Sequence, residues 1–114
     1  MAHAVLETKA ITDWDSFHAV NAATFGFPDF YGRNMDAWID CLTYMDDGGD
    51  GMSRFVLADG EVLTIEVLDA DDFTKRMPEQ ALALMDCAAF VNARYVADGK
   101  SPKLSLLLVG SAQT

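Results

Sequence analysis

Two carboxylates four residues apart, Asp36 and Asp40, are the side chains of this sequence best spaced to do chemistry. On a helix, at roughly 100° per residue, they fall about 40° apart on one face. Such a pair could share a proton, hold a divalent ion, or face a cationic pocket. A proton-sharing dyad needs carboxylates in close contact in a desolvated site, and an exposed helical face meets neither condition. A metal would need a third ligand, which His18 could in principle supply; two histidines, one of them the N-terminal His3, do not make a rich metal site. Two aspartates at this spacing also repel each other by a few tenths of a kcal/mol. Asp36 recovers part of that beside the helix N-terminus, while Asp40, a turn further on, gains little. Spacing alone favours a plain solvated face; the alternative is a surface that presents two carboxylates to a cationic partner.

The stretch that positions the pair is Phe27–Tyr44, FPDFYGRNMDAWIDCLTY. Pro28 and Asp29 read as a turn, and Gly32 as a point where the backbone needs a positive φ. Asn34 is a strong N-cap residue, its side-chain oxygen suited to an orphan N–H of the first turn. From Met35 the spacing is helical. Met35, Trp38, Ile39, Leu42 and Met45 form an apolar stripe, and Asp36, Asp40, Thr43 and Asp47 a polar one. Ile39 borders the acidic stripe and is expected to reach a partner.

A chain of 114 residues, about half of them hydrophobic, is one folded domain over residues 1–114 and not an acidic disordered tail. Its formal net charge is −10. That sign argues against nucleic acid and against an anionic membrane, and makes a basic protein the natural partner; plain solubility explains the charge equally well. No apolar run approaches the ~18 residues of a spanning helix, and the N-terminus lacks a signal-peptide layout. Cys41 and Cys87 fall inside predicted helices without a CxxC motif, so both are expected as reduced thiols and the cytoplasm as the compartment.

The remaining elements are read in order. Ala4–Ile11 is a predicted strand. Thr12 or Asp13 caps a helix to about Thr24, with Trp14, Phe17, Val20 and Thr24 toward the core and His18 a packing residue beside them. Gly26 and Pro28 end it. Asp46–Gly51 superficially resembles a calcium loop, but Gly48 and Leu57 stand where oxygen ligands are needed. Phe55–Leu57 and Glu61–Leu68 flank Ala58-Asp59-Gly60, which suggests a hairpin, the second run being a central strand. A short helix surrounds Phe73. Pro78 opens a long helix over Glu79–Ala97, with Leu82, Met85, Ala89 and Asn92 on one line and Leu84, Ala88, Val91 and Tyr95 on another. Leu104–Val109 reads as a buried strand and Ser111–Thr114 as a tail. Helices between strands imply an α/β fold with a small parallel sheet.

Catalytic signatures are missing: no GxSxG, P-loop, GxGxxG or HExxH. A binding protein is expected, not an enzyme, with no cofactor and as a monomer.

The stretch itself resembles the barstar family, intracellular inhibitors of the secreted ribonuclease barnase. Pro28, Tyr31, Gly32, Asn34, Asp36, Ala37, Asp40, Cys41, Leu42 and Thr43 match without a gap. The resemblance implies a three-stranded parallel sheet packed by about four helices, with the predicted hairpin as a possible extra strand. It also implies that the second helix and its preceding loop plug the active site of a basic secreted ribonuclease or nuclease toxin. Asp40 would enter the phosphate-binding pocket, Asp36 would pair with an arginine at the rim, and Phe30, Gly32, Asn34, Ile39, Thr43 and Tyr44 would line the contact. The carboxylates would imitate substrate phosphates. Three positions depart from the family: Phe30 lacks a tyrosine hydroxyl, Ile39 replaces a contact tryptophan, and Asn92 lies where a glutamate adds a third acidic contact. The target is thereby left open between barnase, another nuclease and a non-nuclease protein.

Overall fold

The computed structural model describes residues 2–46 and 51–111. Asp47 of the polar stripe, most of the calcium-like loop, and the last three residues of the expected tail lie outside them. The order is β1 (His3–Leu6), a 3-10 turn (Thr8–Ala10), α1 (Trp14–Phe25), α2 (Met35–Thr43), β2 (Leu63–Val67), α3 (Ala70–Arg76), α4 (Pro78–Ala97) and β3 (Leu104–Leu108). The three strands form one parallel sheet with β2 in the middle, as expected. Ala4, Ile65 and Leu106 stand side by side across it.

The sheet is covered on one face. Ala4 and Leu6 of β1 and Leu63, Ile65 and Val67 of β2 point into the core, while Val5 faces out and Thr64 and Glu66, between the core positions of β2, are half-buried. Period-two alternation therefore rules even the strand that reads as continuously apolar. β3 is a correction: expected as buried, it is an edge strand with Leu107 and Leu108 about half exposed. Asn92 anchors its start, its Oδ1 accepting from the Lys103 and Leu104 N–H groups and its Nδ2 donating to the Leu104 carbonyl. β1 also stops short of Ile11, because the chain turns at Thr8, whose hydroxyl donates to the Leu68 carbonyl at 2.6 Å.

α1 begins with a capping box between Asp13 and Ser16. Its buried line is Phe17, His18, Asn21 and Phe25, shifted by one position from the one expected; Trp14 is exposed instead. Of the two lines on α4, the one buried is Leu84, Ala88, Val91 and Tyr95, and Leu82 and Met85 of the other stay outside. The hairpin does not form. Glu61 N–H closes a turn onto the Ala58 carbonyl, but the preceding segment bonds elsewhere: Leu57 N–H to Met45 O and Arg54 N–H to Phe25 O. Those contacts tie the segment to the ends of α2 and α1, which removes it from the sheet.

Gly26 is the most constrained glycine among the described residues. It caps α1 at φ +68°, and a Cβ there would lie 2.9 Å from Arg54 Cβ. Gly26→Ala should lower the unfolding free energy by about 1–3 kcal/mol, from left-handed strain plus the clash. Urea denaturation reads this, and a loss below 0.5 kcal/mol, roughly the context scatter of a harmless surface change, would show that the joint yields freely.

Candidate functional site

The loop before α2 is held from beneath by α1. Tyr31 Oη lies 2.7 Å from His18 Nδ1, and the Tyr31 ring packs 4.6 Å from that of Phe27. Tyr31 is buried, and burial raises its pKa, so its hydroxyl stays protonated as a donor. The positive φ expected at Gly32 falls one residue later, on Arg33 at φ +54°. Arg33 Nη2 holds that geometry by donating to both the carbonyl and the Oδ1 of Asp15. Asn34 then caps α2 as expected, its Oδ1 accepting from Ala37 N–H at 2.8 Å.

His18 is a satisfied packing residue with a pH consequence. Burial, then the Arg33 guanidinium, hold its pKa below the ordinary 6.5, against an opposing pull from Asp15. The folded state thus favours neutral imidazole, and the unfolded chain binds more protons just below that value. Stability is fully present above pH 6.5 and declines as pH falls through it. Urea midpoints at pH 7.5 and 5.5, chosen to bracket the ordinary histidine value, should differ in the wild type and differ less in His18→Gln. Equal differences would assign the acid sensitivity to other groups.

α2 divides its faces sharply. Trp38, Leu42 and Met45 are completely buried. Trp38 Nε1–H donates to Asn21 Oδ1 at 2.9 Å, locking α2 to α1. Tyr95 of α4 secures the other end: its Oη donates to the Leu42 carbonyl and accepts from Met45 N–H. Asp36 and Asp40 face solvent, as do Phe30, Gly32, Asn34 and Tyr44. Thr43 is half-buried, and its hydroxyl donates back to the Ile39 carbonyl. Ile39 is a correction. Expected at the edge of the acidic stripe, it is only 7% exposed and belongs to the core, on a helix that packs against α4.

Sequence reasoning missed Arg94. Its Nη1 lies 2.9 Å from Asp40 Oδ1, with the two side chains 42% and 54% exposed. Its guanidinium also stands 5.5 Å from the centre of the Phe90 ring. Among the described residues, this is the α4 side chain that ion-pairs with the acidic face, while Asn92 is turned to β3. Nothing in the sequence links positions 40 and 94; the one hint is that Arg94 precedes Tyr95, at the margin of α4's buried line. Met52 was missed too. It joins Phe30, Tyr31, Gly32, Ala37, Asp40 and Cys41 around a shallow cleft of about 100 Å³.

The described residues contain no group of three His, Cys, Asp or Glu side chains arranged to hold a metal. Both cysteines are free, and burial pushes the Cys41 thiol up to about 11, far from thiolate reactivity at neutral pH. No described helix is long and apolar enough to cross a membrane. What the face offers is two solvent-facing carboxyl side chains on a rigid helix beside an apolar notch, which suits recognition of a cationic protein surface.

Residues 1–106 match the family pattern described as Barstar (barnase inhibitor). The chain belongs to the barstar family. A comparison with curated proteins finds no match. The barstar-family match spans the Phe30–Tyr44 face and all but the end of β3, so it covers the candidate site together with the scaffold that carries it. Members of the family are inhibitors that bind a protein.

Proposed function

We propose that this protein inhibits a basic ribonuclease or a related nuclease toxin by seating α2 and its preceding loop in the enzyme's active site. One observation carries the reading: Asp36 and Asp40 share the solvent side of a helix whose other side is fully buried. Asp40 serves as the phosphate mimic, Asp36 as a rim contact, and Phe30, Gly32, Asn34, Thr43 and Tyr44 as the surround. Arginine forks in a phosphate pocket match such carboxylates in geometry as well as charge. The net charge of −10 adds long-range attraction to a basic target. The cytoplasm, where such an inhibitor would protect its own cell, fits this role.

A second reading has an observation of its own. Asp40 already has a partner in Arg94, so the face is mixed in charge, which suits a non-nuclease protein whose surface carries both signs.

The test is inhibition of barnase, as a first basic nuclease, across a salt series. Steered association should slow by at least tenfold between low salt and 0.5 M, since screening shortens the field's reach to well under 10 Å. Inhibition that is absent at low salt, or indifferent to salt, would remove barnase-type targets and favour the second reading.

A further inference from the structure

We propose that Arg94 is a specificity-determining residue of the acidic face, holding in the free protein the place that a target's guanidinium takes over in the complex. The inference rests on the proposed inhibitory role of that face and adds a condition to it. Asp40 is the carboxylate assigned to the target's cationic pocket, yet it is bonded to a guanidinium of its own chain at 2.9 Å. The pair is well exposed on both sides, so it exchanges readily and contributes little to stability. It also answers the question raised by two aspartates one turn apart: Arg94 neutralises the one that the helix N-terminus does not help.

Arg94 has somewhere to go. Its guanidinium already lies near the face of Phe90, which is itself 54% exposed and can hold a cation without Asp40. A second cleft of about 340 Å³ opens between the ends of α2 and α4, beside Thr43 and Tyr44 at the margin of the face and lined in part by Arg94 and Asp98. Displacement therefore needs only a side-chain rotation, with no movement of either helix. Arg94 holds Asp40 through one oxygen, Oδ1. An incoming arginine held in a rigid pocket offers two parallel bonds and outcompetes that single one, whereas a mobile surface cation does not. The residue thus screens the face against casual cationic partners and admits those with a fixed guanidinium.

The experiment compares wild type, Arg94→Gln and a control, Lys75→Gln, which removes one exposed positive charge from α3 instead. Two probes are used: barnase inhibition, and a hexa-arginine peptide followed by the amide shifts of residues 36–43. Releasing an exposed ion pair corresponds to about a three- to fivefold gain. Arg94→Gln should therefore bind hexa-arginine that much more tightly than wild type, with Lys75→Gln changed less than twofold. Equal behaviour of the two variants, or weaker binding by Arg94→Gln, would overturn the role of Arg94; the latter would make it a direct contact. If Arg94→Gln gains toward the peptide while no variant inhibits barnase, the screening role stands and the barnase-type target fails. If barnase is inhibited and Arg94→Gln gains on neither probe, the inhibitory reading stands and the screening role fails.

Discussion

Replacing Trp38 by alanine should lower the unfolding free energy by about 3–5 kcal/mol, the range for removing a buried large aromatic. The indole is completely buried between α1, α2 and the aromatic group around Phe25, whose ring meets it edge-on at 6.1 Å. The loss has two parts. A cavity opens, because Phe25, Phe27 and Phe55 are braced against one another and cannot collapse into it. Asn21 Oδ1 also loses its Nε1–H donor in a buried setting. Trp38→Phe separates the two, keeping much of the volume and losing the donor, and should cost about 1–3 kcal/mol. Since domains of this kind are stable by only about 5–15 kcal/mol, the alanine variant is expected near the margin of folding at 37 °C. Urea midpoints with unchanged slopes are the measurement. A Trp38→Ala cost below 1 kcal/mol would show that the helices reach their places without the indole.

Asp40→Ala should weaken binding to a cationic nuclease by about 2–5 kcal/mol, mainly through faster dissociation, because it leaves the target's arginines buried without a counter-charge. That range includes charge pairs measured in the barnase–barstar complex itself, so its size belongs to the family and not to this geometry. Arg94 pulls the expectation toward the lower end, since part of what Asp40 gains from a target it first loses from its own chain. Asp36→Ala should cost less, being a rim contact. Glu79→Ala is the control: it lies in the first turn of α4, about 22 Å along the helix from Arg94, and should change affinity little. The free Asp40→Ala protein should be as stable as wild type to within about 1 kcal/mol, since only an exposed ion pair is lost. Dissociation rates for the three variants decide the matter. If Asp40→Ala dissociates no faster than Glu79→Ala, the acidic pair is a solvated face and the inhibitory reading falls.

Much of the scaffold was legible in the chain because its signals are local. Asn34 caps α2, Gly26 ends α1, Pro78 opens α4, and the apolar runs at β2 and β3 mark strands. Each depends on backbone geometry or on periodicity within a few residues, which a sequence carries explicitly. The Phe27–Tyr44 stretch combined several such signals, and with them the family. The same logic placed Trp38 inward and Asp36 and Asp40 outward, since helical phase alone separates the two sets.

What tertiary structure alone decided concerns elements far apart in sequence. Ile39 sits at the border of two stripes, and periodicity cannot say how far the packing of neighbouring elements will reach around a helix; here it reached Ile39. Leu107 and Leu108 look like core by composition, but β3 became an edge strand, and exposure there follows from strand order and helix placement. The Ala58-Asp59-Gly60 turn formed without its hairpin, because Leu57 and Arg54 found backbone partners at the ends of two helices. Arg94 is the furthest case. Its bond to Asp40 spans 54 positions, and it lies where α4 packs on α2, next to Tyr95, which is anchored to the end of that helix. The acidic pair is written in the sequence; the cation that partners it is set by how α4 lies against α2, since a long-range ion pair leaves no trace in local spacing.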